Sequence, residues 1–186
     1  MASLIHVPID WRTPEQTGIA GNSFWSVLSG TASQLAGWMF LGNTSGGSGT
    51  GIRATAGVIY GIVNVPPNVD PNSTGSILVC LATTATANAI SFWKVHTREV
   101  LTGSTYDVTS FVAINGQAWT APTTGWARKD LSFARDAATT GGAQIMVKLE
   151  RNISYSGAVS ASGSGVDDST ALVMMMDAYL VITATA

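Results

Sequence analysis

Apolar and polar residues alternate with a period of two in several stretches of the chain. In "AQIMVKLERN", residues 143–152, the apolar residues Ile145, Val147 and Leu149 are separated by mainly polar ones. A period of two is the pattern of a β-strand with one buried face. No stretch of useful length shows the 3.6-residue period of an amphipathic helix. The pattern therefore predicts an all-β chain.

Clusters of Gly, Pro, Asn and Ser separate the strand-like runs and mark the turns. Two of them are "GNTSGGSGTG" and "NVPPNVDPNSTG", and such clusters are typical of chain reversals between strands. About eight strands with few helices favour two packed antiparallel sheets, a β-sandwich of jelly-roll type. The strands are predicted at residues 37–41, 52–63, 76–83, 90–100, 106–114, 127–133, 144–152 and 172–183.

The first 36 residues lack this periodicity. The stretch "HVPIDWRTPEQTGIAGNSFWSVLSG" mixes Pro, Gly and isolated aromatic residues. We expect residues 1–36 to form an extended N-terminal arm or edge segment, followed by the sandwich over residues 37–186. Arms of this kind often reach a neighbouring subunit, so Trp11 and Trp25 are predicted to contact another copy.

The final strand carries one aspartate in an apolar run, "LVMMMDAYLVITATA". A strict period of two places Met174 and Met176 in the core, with Met175 and Asp177 on the outer face. Arg151 ends a strand that we expect to neighbour this one, which predicts an Arg151–Asp177 ion pair. Such a pair stabilises by about 0–1 kcal/mol when exposed, whereas losing one member costs about 3–5 kcal/mol when a partner covers it.

The low content of charged residues indicates whether partner chains cover the surface. Only 11% of the residues are charged, where about a quarter is usual, and free monomers normally keep many surface charges. Either the surface is one of neutral hydroxyl groups, or partner chains cover much of it. We favour the second interpretation and predict a homo-oligomer, with a trimer preferred.

Several function classes are disfavoured. The longest apolar stretch, Ala171–Ile182, contains Asp177 and falls short of the ~20 residues that span a bilayer, so no membrane partner is expected. The start, "MASLIHVPIDW", lacks the basic flank and long apolar core of a signal peptide. A net charge of −2 without a Lys/Arg cluster argues against nucleic acid. Cys80, the one cysteine, is expected to be a small buried residue.

No catalytic constellation emerges, so we expect no enzyme, no catalytic residue and no cofactor. His6 and His96 stand far apart, no G-x-S-x-G motif occurs, and two of the three glutamates lie in predicted strands. Asp167 and Asp168 in "GSGVDDST" are calcium candidates because they supply hard oxygen ligands. The pair alone does not define a site, since calcium takes six to eight oxygens.

Six tryptophans are many for 186 residues. They fit a core or a subunit interface, where aromatic rings contribute most to packing. Exposed tryptophans on a jelly roll can instead stack on sugar rings. Trp119 and Trp126 bracket the loop "TAPTTG" and are the candidates for that role.

The order of segments in the C-terminal part resembles a group of bacteriophage virion proteins. "GSILVCLATTA" precedes "AISFWKV", and "WARKDLSF" precedes a strand ending "VKLERN"; a loop with "DDS" then leads into "MMDAYLVITA". In that group a late strand ends in Arg-Asp, the following loop holds an acidic residue before Thr, and the last strand carries Asp-Ala. The matching positions are Arg151–Asn152, Asp167–Asp168 and Asp177–Ala178, with Asn152 departing from the pattern. The match covers residues 66–184.

This resemblance implies a jelly-roll domain with an N-terminal arm and a structural role on the virus particle. The chain would decorate or cement the capsid, or form part of a head or tail appendage. Its partners would be the major capsid protein or other virion proteins, in a particle assembled in the host cytoplasm. The alternative is a carbohydrate-binding module that recognises a host-surface glycan from such an appendage.

Overall fold

The computed structural model describes residues 3–12, 23–29, 34–40, 57–83, 90–105, 111–123, 125–151, 158–159, 163–164 and 173–185. The regular structure of these residues is entirely β. Among them, no helix has the length and apolar character needed to cross a membrane. The strands are β1 (Ser3–Pro8), β2 (Asp10–Arg12), β3 (Ser23–Ser29), β4 (Gln34–Phe40), β5 (Gly57–Asn64), β6 (Ser76–Thr83), β7 (Ile90–Val100), β8 (Val112–Thr120), β9 (Lys129–Ala134), β10 (Gln144–Arg151), β11 (Ala158–Val159), β12 (Gly163–Ser164) and β13 (Val173–Ala184).

Two antiparallel sheets form the sandwich. The first sheet has the order β3-β4-β13-β6-β9, with β1 also paired to β13, and the second has the order β2-β5-β10-β7-β8. Four strand pairs are nested along the chain: β4–β13, β5–β10, β6–β9 and β7–β8. Of these eight strands, the first pairs with the last, the second with the second last, and so on to the innermost pair. Nested pairing of eight strands is the topology of a jelly roll. The predicted fold class is confirmed.

The predicted strands match these eight elements with one clear displacement. The predictions for residues 76–83 and 90–100 agree with β6 and β7 to the residue. The strand predicted at 106–114 is β8, which runs from Val112 to Thr120. Asn115 and Gly116 disfavour a strand by propensity, and they lie opposite Lys94 where the β7–β8 register shifts. β8 therefore continues through a bulge at residues 115–116, where the sequence predicts that the strand ends.

The described residues of the predicted arm belong to the two sheets. β1 pairs with β13, β2 pairs with β5 of the other sheet, and the amide of Ile9 between them donates to the Ala178 carbonyl at 3.1 Å. Ile5, Val7 and Trp11 pack against the core. The predicted boundary after residue 36 falls inside β4. Contact of this segment with another copy stays a prediction.

A β-bulge in β13 changes which methionines face the core. The register with β6 shifts between Met175 and Asp177. Met175 is fully buried in the inter-sheet core, Met176 is half-buried, and alternation resumes with Ala178 facing inward. The prediction that Met174 and Met176 fill the inter-sheet core while Met175 faces outward is therefore wrong. Met174 is also fully buried, on the opposite face from Met175 by alternation.

Side chains close one side of the sandwich, between the edge strands β8 and β9. Gln117 Nε2 donates to the Ser132 carbonyl at 2.6 Å, and Trp119 Nε1 donates to the Lys129 carbonyl at 3.0 Å. In return, Lys129 Nζ donates to the Thr120 carbonyl at 2.8 Å. These bonds use carbonyls that an open sheet edge would leave available to another chain.

Candidate functional site

The two tryptophans predicted to stack on sugars have different environments. Trp119 is only 2% exposed and lies in the inter-sheet core. It therefore offers no platform to a ligand, because alternation along β8 turns its ring inward. Trp126 is half-buried, adopts a left-handed φ of 61°, and donates its amide to the Thr83 carbonyl at 2.6 Å. Part of the residue remains exposed to solvent.

The predicted Arg151–Asp177 pair requires neighbouring strands, and that premise is wrong. Arg151 ends β10 in the second sheet, between β5 and β7, whereas Asp177 lies in β13 of the first sheet. Arg151 is fully buried with the inward parity of Leu149, and its Nη1 donates to the Phe40 carbonyl at 3.3 Å. Asp177 is exposed and points outward, as predicted. The nested topology separates the two strands.

The remaining predicted residues are placed as follows. Trp11 lies in β2 and packs against the core, and of Trp25 the structure describes the backbone in β3 only. Asp167 and Asp168 lie outside the described residues. Among the residues that are described, no group of three His, Cys, Asp or Glu side chains could hold a metal ion.

Cys80 is 1% exposed, which confirms the expectation of a small buried residue. Arg128 lies over it, with Nη2 at 3.0 Å from the sulfur, and holds Asp130 through Nε and Nη2 at 2.7 and 2.8 Å. Burial, reinforced by the Asp130 carboxylate, raises the pKa of the thiol to about 11. Because the thiolate is the reactive form, this cysteine is chemically inert at neutral pH.

Polar and aromatic side chains converge on the solvent side of the second sheet, which we call the outer face. In β10 the inward residues are fully buried, while the alternate residues are half-buried. The register places Lys148 between Tyr60 of β5 and His96 of β7, and Glu150 beside Lys94. The half-buried side chains of this face are Val58, Tyr60, Ile62, Lys94, His96, Arg98, Gln144, Met146, Lys148 and Glu150.

Glu150 is the electrostatic centre of the outer face. Its Oε2 lies 3.1 Å from Lys148 Nζ and 3.5 Å from His96 Nε2, and its side chain is only 16% exposed. Interaction with His96, followed by interaction with Lys148, outweighs burial and lowers the pKa of Glu150 from 4.5 to about 2. The carboxylate is thus charged and fixed in orientation throughout the neutral range.

Two aromatic rings lie next to these charges. The rings of Tyr60 and Phe111 are tilted by 49° with centroids 6.1 Å apart. Phe111 directly precedes β8. Arg98 Nη2 donates to the Thr105 carbonyl at 2.9 Å, which ties the first half of the β7–β8 connection back to β7. The face therefore combines aromatic surface with oriented donors and an oriented acceptor.

Sequence reasoning did not identify this site. The alternation of Val95, His96 and Thr97 places His96 on a strand face. Only the pairing of β10 with both β7 and β5 brings His96 near Glu150 and Tyr60. The available signal is the row of polar residues Lys94, His96 and Arg98 at alternate positions of one strand.

The lowered pKa of Glu150 predicts an acid-dependent loss of stability. Its folded-state pKa is below its ordinary value, so the stabilisation is present above about pH 4.5 and is lost as the pH falls toward 2. Glu150→Gln should therefore lower the free energy of unfolding by up to about 3 kcal/mol at pH 7 and by much less near pH 2. Urea unfolding of both proteins across this pH range measures the difference.

The matched control is Asp136→Asn, which neutralises an exposed carboxylate in the turn after β9. A Glu150→Gln deficit that stayed the same from neutral to acid pH would contradict the electrostatic account and indicate a packing defect.

Comparisons with known proteins identify no family. No family model and no curated protein matches the sequence. Among solved structures, the cleaved adhesin domain of Lys-gingipain from Porphyromonas gingivalis is similar over 100% of this chain and 99% of its own, with 12% identity and a TM-score of 0.47. TmCBM61, solved with β-1,4-galactotriose, is similar over 91% of this chain and 86% of its own, with 11% identity and a TM-score of 0.38.

A family 29 carbohydrate-binding module from Piromyces equi is similar over 99% of this chain and 91% of its own, with 12% identity and a TM-score of 0.34. Likenesses at this level identify no ligand for this chain. Its function has to be argued from its own side chains.

Proposed function

We propose that this chain is a non-catalytic carbohydrate-binding domain that takes a glycan on the outer face of the second sheet. The observation that carries the proposal is the Tyr60 ring, half-buried and in register with Lys148 and His96, beside a charged Glu150. A sugar presents a C–H face, which packs on an aromatic ring, and hydroxyl groups, which need fixed donors and acceptors. The outer face supplies both within one patch of sheet.

The half-burial of these groups supports the proposal. Fully exposed charges bind hydroxyl groups poorly because water competes, whereas hydrogen bonds to oriented, partly desolvated charges are stronger. Lys148 Nζ already holds Glu150 at 3.1 Å, so Glu150 accepts a hydroxyl hydrogen bond without first losing side-chain freedom. Phe111 widens the aromatic surface beside Tyr60.

Binding, and not hydrolysis, fits the placement of the carboxylates. Glycoside hydrolysis generally uses two carboxyl groups that flank the scissile bond. Glu150 faces cations, while Glu99 accepts from the Thr140 amide at 3.0 Å and lies 3.8 Å from the buried Arg135, so it serves to hold a loop. A carboxylate with a pKa of about 2 is also a poor proton donor at neutral pH.

The setting of this activity stays a prediction from the sequence. A place on a phage head or tail appendage, a homotrimer, and contact with capsid or other virion proteins all follow from the resemblance and the low charge. A glycan-binding outer face would suit host-surface recognition by such an appendage. A capsid-cementing role is the other function that the resemblance implies.

The test is a glycan array followed by calorimetry on the best polysaccharide. Tyr60→Ala should weaken binding at least about tenfold, which corresponds to about 1.4 kcal/mol, because it removes the stacking surface. Tyr179→Ala is the matched control, since Tyr179 is a half-buried tyrosine on the outer side of the first sheet. It should bind as the parent does.

Two results would overturn the proposal. One is an array on which the folded protein binds no glycan. The other is binding that survives Tyr60→Ala but is lost in Tyr179→Ala or Trp126→Ala, which would move the site to the first sheet or its loops.

A further inference from the structure

β1 lies at an edge of the first sheet, and some of its backbone groups face away from that sheet. The amide of Ile9 donates to the Ala178 carbonyl at 3.1 Å, which continues the β1–β13 register by one residue. In an antiparallel pair, bonded positions alternate with positions whose backbone groups point away from the partner strand. Counting back from Ile9, the residues that point away from β13 are Leu4, His6 and Pro8.

This open edge of β1 is accessible. Within the part of the chain that the structure describes, β13 is the one strand that pairs with β1. Leu4 is 69% exposed, and His6 and Pro8 are exposed as well. Proteins usually protect such an edge with a lysine, a bulge or a covering segment. β1 carries no lysine and no bulge, and Pro8 blocks the edge only at its end.

The chemistry of the edge defines the strand that fits it. Such a strand is uncharged at its centre, has free amides at alternate positions, and carries an apolar residue on the core side. That residue would cover Ile5, which packs against the core but is only half-buried. β1 of a second copy has all three properties. The low charge of the chain, 11% of its residues, also limits repulsion between copies.

We infer that two copies of this chain pair antiparallel through β1, about a two-fold axis at Ile5. Each Leu4 then lies opposite His6 of the other copy, and the two such pairs exchange four backbone hydrogen bonds. The two Ile5 side chains meet at the unbonded position between these pairs, where the strands approach most closely. Pro8 falls outside the paired stretch, residues 3–7, so its missing amide removes no bond. An axis at His6 would instead place the Pro8 ring against Leu4 of the other copy.

The pairing does not rest on the proposed glycan binding, because β1 belongs to the first sheet and the outer face to the second. An axis perpendicular to the first sheet leaves the second sheets of both copies on the same side. Two outer faces that point the same way would bind one polysaccharide with higher avidity than a single face.

Light scattering after size exclusion tests the assembly of the full chain. We expect the mass of two chains at micromolar concentration. His6→Pro removes two of the four bonds and leaves those to β13 intact, so it should weaken dimerisation about tenfold or more. His6→Ala, the matched control, removes the imidazole but keeps the amide, and it should dimerise as the parent does. The mass of the parent tests the inference even where a variant fails to fold.

Disulfide cross-linking tests the register of the pairing. Ile5→Cys places two thiols opposite each other at the axis, with Cα atoms about 4.5 Å apart, so diamide should oxidise them to a disulfide-linked dimer. Val7→Cys is the matched control, because Val7 is also half-buried on the core side of β1. Its two copies would be four residues apart along the strand, or about 14 Å, and should not cross-link. Cys80 is buried and does not compete.

Several outcomes would overturn the inference. One is a parent protein with the mass of a single chain. A mass of three chains would do so as well, because a two-fold edge pairing joins only two, and it would favour the trimer predicted from the sequence. Chains that stay together in His6→Pro, or that cross-link as readily through Val7→Cys as through Ile5→Cys, would meet at another surface. Glycan binding by a monomer would leave the proposed function intact, and a dimer that binds no glycan would overturn that function alone.

Discussion

Met175→Ala is expected to lower the free energy of unfolding by about 2–5 kcal/mol, the range for truncating a buried methionine. Met175 has no exposed surface and packs in the inter-sheet core between two neighbouring strands, opposite Trp38 on β4 and Leu81 on β6. Removal of its side chain would leave a cavity that these strands cannot close without breaking their pairing with β13. Chemical denaturation at neutral pH measures the loss.

Met176→Ala is the matched control, since it removes the same side chain one residue later. Met176 lies at the register shift and is half-buried, so its truncation should cost less than about 1.5 kcal/mol. The difference in stability between the two positions should be larger when each methionine is replaced by lysine. Met175→Lys would place an unpaired charge in the core and prevent folding, whereas Met176→Lys can extend its amine to water.

The reverse ranking would mean that β13 alternates without a bulge. Equal losses at both positions would mean that Met176 is buried as completely as Met175. The first result would contradict the register described for this strand, and the second would contradict the half-burial of Met176.

The fold was predictable because most of the eight strands in the nested pairs carry their own evidence in the sequence. Residues 76–83 and 90–100 combine β-branched and aromatic residues, with a turn cluster before the first and another after the second. They form β6 and β7 at those bounds. Eight such strands with few helices favour a jelly roll before any pairing is known.

What could not be predicted depends on pairing between distant strands. The bulge in β13 cannot be recognised in the sequence, because positions 174, 175 and 176 are all methionine. Only the shifted register with β6 shows which of them faces inward. β1 and β2 are held by backbone bonds to β13 and β5. Such bonds do not require a periodic side-chain pattern in the segment that makes them.

The candidate site was missed for the same reason. Tyr60, His96 and Glu150 come from three strands that are far apart in sequence, and the nested order β5-β10-β7 brings them together. The sequence instead favoured the tryptophans near a loop, because a sequence alone does not show whether an aromatic ring is exposed or buried. One of those two, Trp119, is a core residue.

Trp119→Ala is therefore expected to be a folding defect and not a binding defect. Its ring is 2% exposed, and its indole Nε1 donates to the Lys129 carbonyl, joining the edge strands of the two sheets. Truncation should cost about 3–5 kcal/mol. Trp119→Phe keeps most of the packing and should cost about 1 kcal/mol for the lost hydrogen bond. Thermal unfolding monitored by circular dichroism gives both values.

The decisive comparison sets stability against glycan binding in one series. Trp119→Phe should retain the full affinity of the outer face because Tyr60 and Glu150 are untouched, and Trp126→Ala should do so with little loss of stability. Tyr60→Ala should show the opposite behaviour, with weakened binding in a protein of nearly normal melting temperature. If Trp119→Phe bound glycan poorly while melting normally, Trp119 would contact the ligand, and its burial in the core would be the wrong description.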